Sequence, residues 1–440
     1  MTRTSISLAR GGRARGILAA RLHLRRTLRM AAVIAVAVVG GCAAAAFARI
    51  CDQAMAWQRG FYHLAPMAVL VAMPVVFAGV TALTRRFAPE ASGSGIPQVI
   101  AAAEQRWRGR WGGQRVTIRT AAWKIVLSVT MLLGGASIGR EGPTVQVVAG
   151  VMRTLTRGLK GGPGRRAIII AGGAAGVAAA FNTPIAGVVF AVEELAKSFE
   201  KRTHTTVILV VVVAGLTSYA LQGDYAYFGM RNAGGALRSA WLGAPVLGAI
   251  GGLAGGLFSR ALAGLIGPKA GPLGRWRGAH PVVFAALCGA TAALAAWASG
   301  GLSFGAGYLE ARSLLEDHPG RGLALAASKF VATLAAAASG APGGIFAPSL
   351  ATGAGLGAAM VRAGFSVASH DAVVLGMTSY LSGVVQAPLT SAVILMEMTR
   401  DPALVGPLML AALIARWASS LVMPEPIYHH LSANWRLHAD

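Results

Sequence analysis

Acidic side chains are what this sequence has least of for its size: 16 Asp and Glu in 440 residues, against 40 Lys and Arg. Charged residues of both signs make up only 13% of the chain, about half the ~25% share of a soluble domain. With 55% of residues apolar, that leaves too little charge to solvate a globular surface of this size. Cysteine is nearly absent too. Cys42, Cys51 and Cys288 are odd in number and lie in or beside apolar stretches, which excludes a closed disulfide set and a zinc or redox spacing; they read as small packing residues. The nine His are scattered through expected loops and chain ends, with no Asp or Glu at ligand spacing. No metal site, no cofactor and no nucleophile–base pair of an enzyme is therefore expected.

Glycine is in excess, at 58 residues, about twice the ~7% average share. Membrane helices use small residues where backbones approach closely, and they tolerate breaks that soluble helices avoid. The net charge of +24 does not indicate nucleic acid, because no basic region is interleaved with aromatics in a polar domain. The basic residues cluster outside the apolar runs, around Arg3 to Arg29, Arg106 to Arg119, Arg153 to Arg166 and Arg260 to Arg277. That is the distribution of cytoplasmic loops and headgroup contacts, with the basic N-terminal segment 1–29 held in the cytoplasm. The apolar stretch from Ala31 to Ala48 ends in Ala46-Phe47-Ala48, which imitates a signal peptide. Its basic leader is too long, however, and many apolar runs follow, so it reads as an uncleaved first membrane helix.

Apolar runs fall near 30–48, 62–85, 118–134, 144–156, 166–180, 184–196, 205–221, 239–265, 281–299, 322–339, 345–363, 371–383, 388–399 and 403–422. Several are shorter than the ~20 residues that span a bilayer. Helices that stop partway are allowed only where their ends are buried in protein or line a polar cavity, so an interior site is expected. An internal echo supports this. Phe181-Asn182-Thr183-Pro184 leads to Glu193, and Val385-Gln386-Ala387-Pro388 leads likewise to Glu397; in both, Glu follows Pro by nine residues. A Gly/Pro break precedes each, at 139–143 and 343–348. Paired broken helices at corresponding places point to a repeat-built transporter. Its halves are expected at about 30–225 and 236–440, within one transmembrane domain, 30–440.

Most acidic residues are expected in loops: Asp52, Glu90, Asp224, Glu316, Asp317, Asp371, Asp401 and Asp440. Glu141, Glu193, Glu194 and Glu397 instead lie in or beside apolar helices, where a carboxylate is costly and marks a proton or ion site by default. Glu141 stands in Gly139-Arg140-Glu141-Gly142-Pro143, just before a run beginning at Thr144. That is a helix N-terminus, whose free N–H groups and macrodipole attract anions. Glu141 is thus a tethered anion where a free one could sit; protonation would empty the place and deprotonation refill it. Gly93-Ser94-Gly95-Ile96-Pro97 and Gly343-Gly344-Ile345-Phe346-Ala347-Pro348 offer two more sets of neutral donors at helix starts, suited to an anion that must also leave.

In their order and approximate spacing, GSGIP at 93–97, GREGP at 139–143 and GIFAP at 344–348, with FNTPIAGVVFAVEE at 181–194, resemble the signature segments of the CLC family of chloride channels and proton-coupled chloride antiporters. The resemblance runs from about residue 30 to Tyr428. It implies an all-α polytopic membrane protein of two inverted-topology repeats built from tilted, partly broken helices, forming a homodimer with one pore per subunit. Ser94 and Tyr428 would give hydroxyls to a central chloride, and Ile345 and Phe346 backbone N–H groups. Glu141 would be the gating glutamate and Glu194 the internal proton-transfer glutamate. Lys124 matches a basic position of bacterial antiporters and would raise the local positive potential.

The resemblance further implies that Glu194, where channels of the family usually carry an uncharged residue, goes with proton/chloride exchange; a passive voltage- or pH-gated chloride channel is the alternative. Ser94 with Tyr428 goes with chloride. Gln98 stands where many relatives carry Glu, and Ile100 where some carry another, which leaves the inner proton route open. His429 and His430, beside Tyr428, are expected at a solvated interface. The chain ends about a dozen residues after Tyr428, so appended cytoplasmic regulatory domains are not expected, and a bacterial inner-membrane location is. The partners implied are chloride, protons, the lipid bilayer and a second copy of the chain.

Overall fold

A computed structural model of the chain describes residues 3–104, 115–159, 163–195, 201–223, 228, 237–267, 270–316 and 321–437. The expected boundary between the halves, the basic residues Arg106, Arg108 and Arg110, and Asp224, Asp317 and Asp440 lie outside the described residues. Eighteen α-helices account for nearly all of the rest: α1 (Arg3–Leu64), α2 (Val69–Phe87), α3 (Ile96–Glu104), α4 (Ile118–Leu133), α5 (Glu141–Leu155), α6 (Arg165–Phe181), α7 (Pro184–Phe190), α8 (Lys201–Gln222), α9 (Leu237–Ile266), α10 (Pro272–Ala279), α11 (Pro281–Ser299), α12 (Tyr308–Leu315), α13 (Gly322–Ser339), α14 (Phe346–Arg362), α15 (Ser369–Val385), α16 (Pro388–Thr399), α17 (Val405–Val422) and α18 (Ile427–Leu437). Among the described residues there are no strands. Seven helical stretches are long and apolar enough to cross a membrane. The other helices are shorter, and several end inside the protein.

The two halves repeat one plan. The spacing that separates Lys124 on α4 from Lys329 on α13 also separates Pro143 on α5 from Pro348 on α14. A spacing one residue shorter relates Asn182 to Gln386, Pro184 to Pro388 and Glu193 to Glu397. Asn182 and Gln386 each close a helix in the left-handed conformation, at φ 58° and 61°. Each is followed, two residues on, by a proline that opens the next helix.

The halves interlock through the glutamates of that repeat. Glu193 accepts hydrogen bonds from the N–H groups of Leu389 (3.1 Å) and Thr390 (2.7 Å) and from the Thr390 hydroxyl (2.7 Å). Glu397 accepts from the N–H groups of Ile185 (3.1 Å) and Ala186 (2.7 Å). Each carboxylate therefore caps the free end of the other half's Pro-initiated helix, where the helix dipole favours negative charge. Glu193 and Glu397, expected as possible ion sites, are both engaged in this way. Elsewhere packing relies on small residues: α9 lies against α15 and α17, and a methyl at Gly255 would come within 2.7 Å of the Tyr380 carbonyl.

Three expectations are corrected. The first helix does not stop near 48 but continues to Leu64. Asp52, expected in a loop, lies within this helix, where its carboxylate is paired with Arg140 at 2.6 Å. Asp371 is not in a loop; it is fully buried in the first turn of α15, where it accepts from the Ser239 hydroxyl at 3.1 Å. And α5 begins at Glu141 itself rather than at Thr144. Nine other expected runs match helices to within about two residues at each end, including 281–299, 322–339 and 388–399. The short α10, α12 and α18 were not expected.

Candidate functional site

The three Gly/Pro breaks, far apart in sequence, are tied to one another by backbone hydrogen bonds. Gly93 N–H donates to the Ala341 carbonyl (3.2 Å), and Gly343 N–H donates to the Gly93 carbonyl (3.1 Å). Gly139 and Gly344 exchange both bonds, at 2.8 and 2.9 Å. Helices α3, α5 and α14 thus start from one knot, with their unpaired N–H ends gathered together. At Gly142 the knot has no room for a side chain. A methyl at Gly142 would run into the Ser94 hydroxyl and lie 2.9 Å from the Ser94 carbonyl.

Glu141, 1% exposed, is the first residue of α5, yet its carboxylate reaches the start of α14. Its Oε2 accepts from the Ala347 N–H at 3.4 Å, and its Oε1 accepts from the Tyr308 hydroxyl at 2.6 Å. Tyr308 opens α12 and was not picked out in the sequence. Arg140, next in the chain, points away and donates to the Ala48 carbonyl and to Asp52, both at 2.6 Å.

Ser94 and Tyr428 come together from opposite ends of the chain. Tyr428 is fully buried, which excludes an interfacial belt position. The two hydroxyls face one another, but neither has a hydrogen bond of normal geometry among the described residues. The Tyr428 ring stacks on Phe346 (centroids 5.9 Å apart, planes at 11°), and Phe346 also meets Phe181 and Phe190. Ile345 and Phe346, both buried, form the uncapped start of α14. A cavity of about 440 Å³ leads to this place; Ser94, Ile345 and Tyr428 line its inner end and Arg85 and Arg277 lie along its wall.

Glu194 lies in a π turn, Ala191–Leu195, which continues α7. It is 3% exposed, and its Oε1 has no hydrogen-bond partner among the described residues. Adjacent in sequence, Glu193 and Glu194 thus have different surroundings: the first is a helix cap and the second a buried carboxyl with a free oxygen.

Lys124 is completely buried, and its ammonium donates to the carbonyls of Ala91 (2.8 Å), Ser92 (3.4 Å) and Gly93 (2.6 Å). Its partners are therefore the loop that carries Ser94. Gln98 helps, donating to the Ser92 carbonyl at 2.6 Å, while Ile100 is buried in the apolar core. His430 pairs with the exposed Glu425 at 3.0 Å.

The sequence model of the family described as voltage gated chloride channel matches residues 75–420. Among solved structures, the chain is similar to a slow cyanobacterial Cl−/H+ antiporter, with 26% identity and a TM-score of 0.79 over 92% of this chain and 97% of that one. It is similar in fold to a CLC-type fluoride/proton antiporter (21% identity, TM-score 0.76, covering 91% and 97% of the two chains). A eukaryotic CLC transporter is another (22% identity, TM-score 0.70, 93% of this chain and 74% of that one).

Proposed function

The chain belongs to the CLC family of voltage gated chloride channels, and from that footing we propose that it carries chloride across a lipid bilayer in exchange for protons, with Glu141 as gate and Glu194 as the inner proton-transfer group. Anion transport is the activity in keeping with family and fold, rather than enzyme catalysis. Proton coupling, chloride as the anion and the residue roles are our reading.

The observation that carries it is the seat of Glu141. A carboxylate that begins one helix has its oxygen at the N-terminal amide of another, 3.4 Å from the Ala347 nitrogen. An anion drawn to the same helix end competes with it for the same positive potential. Protonation removes the charge that holds the carboxylate there, so proton and anion occupancy become linked. Deeper in, the hydroxyls of Ser94 and Tyr428 and the N–H groups of Ile345 and Phe346 are neutral donors. They replace part of an anion's hydration without the grip of an arginine, which favours release. Glu194, buried with an oxygen that has no hydrogen-bond partner among the described residues, is suited to take up and return a proton.

The remaining proposals concern setting. The segment 1–29 is cytoplasmic, residues 30–440 form one transmembrane domain with halves at about 30–225 and 236–440, and two copies form a homodimer in a bacterial inner membrane.

The test is flux in liposomes holding the purified protein, with a chloride gradient and no pH gradient. Chloride efflux should drive protons inward, uphill, and Glu141→Gln and Glu194→Gln should each abolish that proton movement. Chloride flux without proton movement in the unaltered protein would make it a passive channel.

A further inference from the structure

Tyr308 has no part in the resemblance that singled out the other site residues. Its hydroxyl nonetheless makes the shorter of two hydrogen bonds to the Glu141 carboxylate, 2.6 Å against 3.4 Å from the Ala347 amide. We propose that Tyr308 is a positioning residue of the gate: its hydroxyl latches the ionised Glu141 carboxylate onto the start of α14 and so sets how readily an anion displaces it. This rests on the reading of Glu141 as the gate.

The latch is built into the scaffold. Lys329 on α13 is completely buried, and its ammonium donates to the carbonyls of Ser303 (3.1 Å), Phe304 (2.8 Å) and Gly305 (2.7 Å). One residue, Ala306, separates them from Gly307 and Tyr308. Gly307 takes φ 83°, and a methyl there would come within 2.8 Å of the Lys329 side chain. The turn into α12 is therefore clamped, and the Tyr308 ring is steadied by Phe228 at 6.1 Å between centroids.

The same construction occurs in the other half. Lys124 occupies the position of Lys329 in the repeat and holds three consecutive carbonyls, those of Ala91, Ser92 and Gly93. The next residue is Ser94. Each repeat thus uses a buried lysine to fix a loop and deliver a hydroxyl just beyond it. One hydroxyl, that of Ser94, faces Tyr428; the other, that of Tyr308, faces Glu141.

The chemistry favours one state of the gate. A phenol donating to a carboxylate makes a charge-assisted hydrogen bond, stronger than the bond it makes with the neutral acid. Tyr308 therefore stabilises the ionised, seated carboxylate and opposes an anion that competes for the helix end. Because the donor is itself neutral, it gives the competing anion no fixed positive charge in exchange.

The experiment is chloride binding to the purified protein by isothermal titration, for Tyr308→Phe alone and in the Glu141→Gln background. Tyr308→Phe should tighten chloride binding by about tenfold, the size of one charge-assisted hydrogen bond lost from a half-buried pair. In the Glu141→Gln background, where no carboxylate is left to latch, Tyr308→Phe should change nothing. Tyr308→Met, which also lacks the hydroxyl, should behave as Tyr308→Phe does. Unchanged affinity in Tyr308→Phe and Tyr308→Met, while Glu141→Gln alone tightens binding, overturns the latch and leaves the gate standing. An equal change in both backgrounds assigns Tyr308 to the scaffold and also overturns it. If Glu141→Gln itself leaves chloride affinity unaltered, the gate reading fails, and the latch with it.

Discussion

Two neighbouring glutamates should separate cleanly when each is replaced by its neutral amide. Glu193 accepts three hydrogen bonds from the start of α16, two of them from backbone N–H groups at 3.1 and 2.7 Å. Charge-assisted bonds of this kind contribute about 1.5–3 kcal/mol each. Glu193→Gln keeps one carbonyl oxygen as acceptor, loses the second and removes the charge that complements the helix dipole. Partial exposure of the pair lowers the effect, so the cost is about 2–3 kcal/mol. Taking ~2.1 cal/mol/K per residue for the unfolding entropy, a 440-residue chain converts this to roughly 3 °C in melting temperature. Glu194 has no such engagement: its Oε1 is buried without a hydrogen-bond partner among the described residues, and Glu194→Gln should leave the melting temperature in place or raise it slightly, since the amide never has to carry a buried charge.

The assay is thermal unfolding in one detergent for both variants, alongside coupled proton uptake in liposomes. Glu193→Gln should fall by about 3 °C in melting temperature and keep proton uptake; Glu194→Gln should do the reverse. The reasoning is refuted if Glu194→Gln is the less stable variant, or if Glu193→Gln melts with the unaltered protein. The Glu397→Gln variant, made on the symmetric cap, should lower the melting temperature somewhat less than Glu193→Gln does, because Glu397 accepts from two backbone N–H groups and lacks the third, hydroxyl donor.

The other expectations concern the loops around the anion path. Gly142→Ala drives a methyl into the Ser94 hydroxyl, so chloride flux should fall on the order of tenfold or more while the protein still elutes as a folded species; unchanged flux would mean that the Ser94 hydroxyl plays no part. Lys124→Met leaves the carbonyls of Ala91, Ser92 and Gly93 without their donor, and each unsatisfied buried group costs about 1–3 kcal/mol. Relief from burying the ammonium offsets part of this, so thermal unfolding should report a net loss of about 2 kcal/mol, with weaker chloride binding in titration. Arg277→Gln removes a fixed positive charge from the cavity wall; flux at low ionic strength should drop severalfold, and the difference should shrink when sodium gluconate raises the ionic strength.

Much of this was legible in the sequence, because glycine and proline mark helix starts for local steric reasons. The breaks at 93–97, 139–143 and 343–348 could be found without knowing that they meet, since each needs only its own backbone. The Pro–Glu echo revealed the repeat for the same reason. Contacts made to backbone carbonyls or across long separations were not legible. Nothing in the string around Lys124 or Lys329 says that each will hold three consecutive carbonyls, because a carbonyl has no sequence signature. Tyr308 was hidden twice over. Its helix, eight residues long, is too short and too polar to register as an apolar run, and its partner Glu141 is 167 positions away. Glu193 and Glu194 could not be told apart in surroundings either, since neighbours in a helical turn point about 100° apart and the sequence does not say which direction faces the other half.

The repeat also bears on the proposed role of Glu141 as a gate. Pro143 and Pro348 correspond, and so, by the same spacing, do Glu141 and Phe346. Both residues open their helices, α5 and α14. If both were glutamates, each helix start would face the other's carboxylate and the like charges would oppose one another across a few ångströms. If both were phenylalanines, nothing tethered could stand in for an anion. With one of each, the half that carries Glu141 supplies what we propose to be the mobile charge. The other half supplies the helix end that receives it, lined by the ring of Phe346 stacked on Tyr428. The fold is close to symmetric while the chemistry is one-sided, and in the proposed mechanism a single carboxylate has two places to be, at the α14 start or away from it. Protonation and anion binding would then both act on that one choice.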